Sequence, residues 1–286
     1  MFGRERIEYK TPEQILLMRR AGLVVAGALD AVRASVRAGV STAELDAVAA
    51  SVIEGAGATP SFLGYHGYPA TLCVSVNDEI VHGIPGTRVL EPGDVVSVDC
   101  GAIVDGWHGD SAFSTVVDAG PDAAAALDTQ LDIQLVETTR QAMWAGIAAL
   151  ATGERLGDVG EAVEDVVAAA ADRNGGRPLG IVEDYVGHGI GSQMHLAPDV
   201  PNFRTRERGP RLRAGLCVAI EPMLVRGDQA NRELEDGWTV VTLDGSRAAH
   251  WEHTVAIHDG GIWVLTATDG GATELAARGV EVAPLG

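Results

Sequence analysis

Five side chains in this sequence have types and settings that could do chemistry together. Asp99 and Asp110 flank Asp105-Gly106, a strong signal for a two-residue hairpin. In an ideal hairpin of that kind Gly101 faces Asp110 and Ala112 faces Asp99. The two aspartates then become diagonal neighbours on one face, with β-carbons roughly 7 Å apart. Either one alone could be making turn hydrogen bonds at a strand end. Together they ask for a positive charge, because Val95-Val96-Ser97-Val98-Asp99 is otherwise an apolar strand and neither arginine nor lysine lies on the hairpin. A metal ion is the simplest answer.

Glu221 interrupts a second apolar strand, Ala219-Ile220-Glu221-Pro222-Met223, and Glu252 a third, beside two histidines in His250-Trp251-Glu252-His253-Thr254. A lone strand glutamate usually faces solvent, but Pro222 gives up a ladder hydrogen bond where the strand must end or bend, which marks Glu221 out. His188 sits among glycines in Val186-Gly187-His188-Gly189-Ile190-Gly191, as expected where backbone passes close to a site and leaves an imidazole unobstructed. The alternative is a glycine-rich turn with an incidental histidine. The stretch lacks the lysine and the spacing of a phosphate cradle. Four carboxylates and one imidazole suit manganese, iron, cobalt or zinc, and bring too few nitrogen or sulfur ligands for one structural zinc. Two ions fit better, bridged by carboxylates at roughly 3.5 to 4 Å and acidifying a shared water. The chemistry expected is hydrolysis.

Those residues need elements to position them. Thr11-Pro12-Glu13-Gln14 has the form of a helix start ahead of apolar residues at helical spacing from Ile15 to Val36, with an end near Gly39; Ser41 with Glu44 opens a second helix to about Gly55. The period then changes to strands at Leu72–Val76, Ile80–His82 and Val95–Val104. Two more helices are expected over about Asp122–Ala151 and Leu156–Arg173, followed by strands around Leu216–Val225, Trp238–Leu243 and Trp251–Ile257. Two helices and then strands occur twice. The fold class expected is α+β: one domain, 1–286, with similar halves at about 1–118 and 121–286 and helices covering a mostly antiparallel sheet.

Composition narrows the partners. With 40 acidic against 21 basic residues the formal net charge is −19, which opposes binding to phosphate backbones and anionic membranes. DNA is excluded as a substrate on that ground. The run Arg204, Arg206, Arg208, Arg211 and Arg213 reads as a solvated loop in preference to a contact with ribosomal RNA, and leaves a transient ribosome contact open. No run of eighteen apolar residues occurs, and Arg4, Glu5, Arg6 and Glu8 stand where a signal peptide would be apolar. Cys73, Cys100 and Cys217, an odd number without close spacing, argue against a disulfide framework and fit a reducing cytoplasm.

The order Asp99, Asp110, His188, Glu221, Glu252 closely resembles the methionine aminopeptidases. Further motifs carry the resemblance over nearly the whole chain: Gly64-Tyr65-His66-Gly67-Tyr68-Pro69, Asn77-Asp78-Glu79-Ile80-Val81-His82-Gly83-Ile84-Pro85, Asp99-Cys100-Gly101, Gly187-His188-Gly189-Ile190-Gly191, Glu221-Pro222 and Trp251-Glu252-His253-Thr254. The resemblance implies the pita-bread fold, a curved, mostly antiparallel sheet under two pairs of helices with pseudo-two-fold symmetry. It also implies removal of the initiator methionine from peptides and nascent chains with a small second residue, by a monomeric, two-metal enzyme.

The resemblance gives Asp110 and Glu252 as bridging ligands, Asp99 as chelator of one ion, and His188 and Glu221 as holders of the other. It sets His82 near the amide nitrogen being cut and His195 near the carbonyl oxygen, with Glu221 relaying the proton of the attacking water. The methionine pocket maps to Phe62, Tyr65, Tyr68, Cys73, Met194 and Trp238. Many relatives have cysteine at the position of Phe62 and phenylalanine at that of Met194, and acidic residues often follow the second histidine, where this chain has Leu196 and Ala197. Only thirty residues separate Glu221 from Glu252, without room for the helical insertion of type II relatives, so the resemblance is to type I, and the lack of a zinc-binding extension ahead of the first helix points to its short bacterial form. Two rivals are a proline-specific aminopeptidase or prolidase, normally with a large extra N-terminal domain, and a non-catalytic binding module of the same fold.

Overall fold

A computed structural model describes residues 6–120, 127–171, 176 and 178–285. Helix α1 (Pro12–Ser35) starts at a capping box, in which the Thr11 hydroxyl accepts from the Gln14 backbone N–H while the Gln14 side chain accepts from that of Thr11. Ser41 and Glu44 build the same device for α2 (Thr42–Gly55). Strands β1 (Thr59–Pro60), β2 (Leu72–Val76), β3 (Glu79–Val81), β4 (Val95–Val104) and β5 (Trp107–Val116) follow. Helix α3 is described over Leu127–Thr152 and α4 over Gly157–Ala169; the expected limits at Asp122 and Arg173 lie outside the described residues.

The remainder is mostly short strands: β6 (Gly180–Ile181), β7 (Gly187–Gly189), β8 (Leu196–Val200), β9 (Cys217–Ile220), β10 (Met223–Val225), β11 (Asn231–Glu233), β12 (Val240–Thr242), β13 (Ala248–His250), β14 (Glu252–His258) and β15 (Gly261–Val264), then a short helix α5 (Ala272–Ala276). Strands β1, β6, β7, β8, β11, β13 and β15 have no counterpart in the sequence pattern. Each spans two to five residues, too few to display a period. Strand β3 ends before His82, which has a left-handed φ of 60° and so leaves the ladder.

Nine strands form one antiparallel sheet in the order β1-β4-β5-β14-β9-β7-β8, with β2 also paired to β4 and β15 to β14. Alternation along the strands divides its faces. Val96, Val98, Cys100 and Ala102 of β4 and Phe113 of β5 pack against Val25, Leu29 and Val32 of α1 and Leu45 and Ile53 of α2. Val218 and Ile220 of β9 and Val255 of β14 pack likewise against Met143 and Ile147 of α3 and Val159 and Val163 of α4. The architecture is α+β, with both helix pairs covering the sheet. Gly109 allows α1 to approach closely, since a β-carbon there would stand 2.7 Å from the backbone nitrogen of Gly22. No helix among the described residues is long and apolar enough to cross a membrane.

Candidate metal centre and substrate cavity

The face of the sheet turned away from the helices carries the acidic residues. The Asp105-Gly106 turn gives the pairing that its chemistry dictates, with Asp99 opposite Ala112 and Gly101 opposite Asp110. On the other side of β5, Glu252 also faces Ala112. His253 of β14 pairs with Ile220, so continuing that antiparallel register one residue past the end of β9 sets Glu221 opposite Glu252. Asp99, Ala112, Glu252 and Glu221 thus form a row across four neighbouring chain segments, and the small side chain of Ala112 leaves room in the middle. Asp110 lies two residues along β5 on the same face, locked there because Thr254 both donates to its carbonyl and accepts from its N–H.

His188 enters from β7 on the far side of β9. Gly189 pairs with Val218, which puts His188 against Ala219, two residues from Glu221 and on its face. The flanking glycines are required by close approach: a β-carbon on Gly187 would stand 2.4 Å from the carbonyl oxygen of Ala219, and one on Gly189 2.3 Å from that of Ala197. Backbone does pass close here, as the composition suggests, but as a strand and not a turn. Proline breaks the other strand: β9 ends at Ile220, Glu221-Pro222 follows, and β10, which begins at Met223, pairs in a separate small sheet with β13 and β6.

The result is a buried acidic cluster. Asp110, His188 and Glu252 each bring a ligand atom within 4.8 Å of the others. Glu221 Oε1 lies 3.3 Å from His188 Nε2. One oxygen on each of Asp99, Asp110, Glu221 and Glu252 is buried without a hydrogen-bond partner. Burial pushes the Asp99 carboxyl up to about 7. Burial and the neighbouring carboxylates raise Asp110, Glu252 and Glu221 well above the ordinary range. His188 is driven down to about 3 by burial and by His195, which leaves its imidazole neutral. Four buried acids that pair with no lysine or arginine among the described residues, beside one neutral nitrogen, are a donor set that fits divalent cations, and two such ions would cancel the four negative charges.

The raised Asp99 carboxyl has a consequence for stability. Below the ordinary aspartate value of 3.8 both folded and unfolded chains hold this proton. As the pH climbs toward about 7 the unfolded chain ionises first, so folded-state stability is lost across that window. With metals chelated, the melting temperature of the parent protein is expected to fall relative to an Asp99→Asn variant between pH 5 and 7, and manganese at pH 7 should recover the loss. Parallel pH profiles of the two chelated proteins would contradict this.

Above the cluster is a cavity of about 100 Å³. Its wall consists of Val81 and the thirteen residues singled out in the sequence: Asp99, Asp110, His188, Glu221 and Glu252 at the floor, His82 and His195, and Phe62, Tyr65, Tyr68, Cys73, Met194 and Trp238. Phe62, Tyr68, Cys73 and Met194 are buried together as one apolar group. The Tyr65 hydroxyl is 2.8 Å from Nδ1 of His195, whose ring stands 4.4 Å from that of His188. His82 packs edge-on between Tyr185 and Trp238, and burial pushes its imidazole down to about 4. Leu196 and Ala197 line not this cavity but a wider groove that shares His82, His188, His195 and Glu221 with it and also touches Tyr185 and Asp199. Arg204 and Arg208, by contrast, pair with Glu164, Asp165 and Asp158 on the surface.

Three residues around the site have no forecast role in the sequence reading. Tyr185 covers His82. Asn202, fully buried, donates to the Glu221 carbonyl. His250 places Nε2 3.7 Å from Glu221 Oε2. A usable signal existed only for His250: of the two histidines beside Glu252, spacing by two puts His250 on its face, whereas His253 falls on the helix side and contacts Ser111 and Thr266.

Comparison with known proteins supplies independent bearings. Residues 16–259 match the model of metallopeptidase family M24. A protein named methionine aminopeptidase 1, from Mycobacterium tuberculosis, is 53% identical over 265 residues, covering 92% of this chain and 96% of its own. The crystal structure of a methionine aminopeptidase from Thermotoga maritima superposes with a TM-score of 0.83 at 38% identity, over 91% of this chain and 99% of that one. A prolidase from Pyrococcus furiosus shares the fold alone, at 19% identity and a TM-score of 0.63, with 65% of its longer chain covered.

Proposed function

The chain belongs to metallopeptidase family M24, and from that premise we propose that it is a methionine aminopeptidase that removes the initiator methionine from peptides and nascent chains with a small second residue. The observation that carries this reading is the convergence of four carboxylates and a neutral imidazole, with unpartnered buried oxygens, on the floor of an apolar cavity. The continuous sheet supports one domain, 1–286, with halves at about 1–118 and 121–286. Three buried free thiols suit a reducing cytoplasm.

Asp99, Asp110, His188, Glu221 and Glu252 would hold two divalent ions, cobalt, manganese, iron or zinc. Bound there, such ions acidify water at neutral pH and polarise a carbonyl. The protein's side chains do the rest. The cavity formed by Phe62, Tyr68, Cys73 and Met194 takes the unbranched thioether side chain, and Tyr65 and Trp238, which pack against that group, line it too. Oε1 of Glu221, buried and unpartnered, is the atom assigned to receive a proton from the attacking water and return it to the leaving nitrogen, because burial there favours the protonated carboxyl. We assign the Tyr65 hydroxyl, 2.8 Å from Nδ1, as the donor of that pair, which leaves the proton of His195 on Nε2 to donate to the carbonyl oxygen as charge develops. His82, held between two rings, faces the nitrogen being released.

A panel of peptides assayed with and without metal tests the reading. Met-Ala-Ser should be cleaved in the presence of manganese or cobalt, Ala-Pro-Ala should not, and N-acetyl-Met-Ala-Ser should resist because its amine is no longer a ligand. Cleavage of only the proline peptide would establish the rival specificity, and no turnover together with no bound metal would leave a binding module.

A further inference from the structure

Glu221 has two carboxylate oxygens with different surroundings. Oε1 faces His188 and the cavity, whereas Oε2 points to the Nε2 atom of His250, 3.7 Å away. His250 is 1% exposed, and its Nε2 has no hydrogen-bond partner. An imidazole nitrogen left unpaired in so dry a place is costly, because it has given up its hydrogen bond to water without gaining another. Among the described residues Glu221 is the only acid within 4 Å of it.

The backbone of His250 is fixed with unusual care. Its N–H donates to Ser114 Oγ and its carbonyl accepts from the same hydroxyl, which is in turn bonded to Ser97. Strand pairing sets His250 opposite Met223, two residues beyond Glu221, and the next residue, Trp251, donates to the Pro222 carbonyl. Asn202 pins the Glu221 backbone from the other side. Both side chains are therefore held at one separation, and a movement of about half an ångström by either brings them within hydrogen-bond range.

We propose that His250 is a positioning residue for Glu221: its Nε2–H donates to Oε2, fixing the carboxylate so that Oε1 is presented to the cation and to the proton in transit. The proposal rests on the reading of Glu221 as ligand and proton carrier. A group behind a ligand sets its orientation and its basicity, and its loss characteristically weakens metal binding by about 10–100-fold.

The test compares His250→Leu, which removes the donor at similar volume, with His250→Gln, which returns an amide N–H. Manganese is titrated calorimetrically into the metal-stripped full chain, and kcat and KM are measured on Met-Ala-Ser. The leucine variant should bind one manganese equivalent about 10–100-fold more weakly and lose kcat by a similar factor with KM unchanged, and glutamine should restore both. Melting temperature and near-ultraviolet circular dichroism establish that each variant is folded. Parent-like affinity and kcat in folded His250→Leu overturn the proposal, as does a folded glutamine variant as impaired as leucine. Failure of the parent to cleave Met-Ala-Ser would instead count against the function, while the titration would still report on His250.

Discussion

Replacing Asp110 by alanine is expected to abolish both cation binding and peptide hydrolysis, while the metal-free protein melts no lower than the parent. Asp110 is 3% exposed, contributes a ligand atom to the cluster, and stands diagonal to Asp99 across the hairpin. Losing it should cost more than the roughly 10²–10³ in rate that one lost hydrogen-bond donor costs at an oxyanion site, because a ligand fixes the charge and place of the reaction itself. The stability arm runs the other way. Burial, Glu252 and Asp99 all disfavour the ionised form of Asp110, so removing it relieves repulsion when no cation is bound. Turnover within about tenfold of the parent would dismantle the metal-centre reading, since other single losses at the site are expected to exceed that.

His195→Ala gives the second large effect and separates the residues that hold cations from those that face substrate. A fall in kcat of roughly 10²–10⁴ is expected, with metal content unchanged, as for groups that donate a hydrogen bond or a proton in the transition state. His195 lines the cavity and contacts the His188 ring, yet it lies outside the cluster of ligand atoms. Its orientation depends on Tyr65, so Tyr65→Phe should show a smaller loss in the same direction. Metal analysis of His195→Ala by mass spectrometry is the deciding measurement. A loss of bound ion would make His195 a ligand and the division of roles wrong.

The departures at Leu196 and Ala197 fall in the wider groove, apart from those at Phe62 and Met194 in the cavity. Phe62 and Met194 line the apolar cavity proposed to take the methionine side chain, whereas Leu196 and Ala197 line the groove beside it.

By itself the sequence determined what is local or written in a long enough pattern. The two capping boxes, the long helices and the Asp105-Gly106 hairpin follow from side chains that satisfy backbone groups within a few residues, and the hairpin alone put Asp99 and Asp110 on one face. Tertiary structure alone decided how the second half meets the first. Glu252 reaches the aspartates only because β14 lies between β5 and β9, a pairing of residues some 140 positions apart that no turn specifies. The short strands that carry His188 and flank Glu221 are chosen by which backbone they can approach, as the space denied to a side chain at Gly187 and Gly189 shows. His250 was visible only as a histidine near Glu252, and its partner emerged once the break at Pro222 had turned β10 toward β13. The physical reason is the same in each case: short strands have little preference of their own, and the free energy that orders them comes from faces buried against segments far away in the chain.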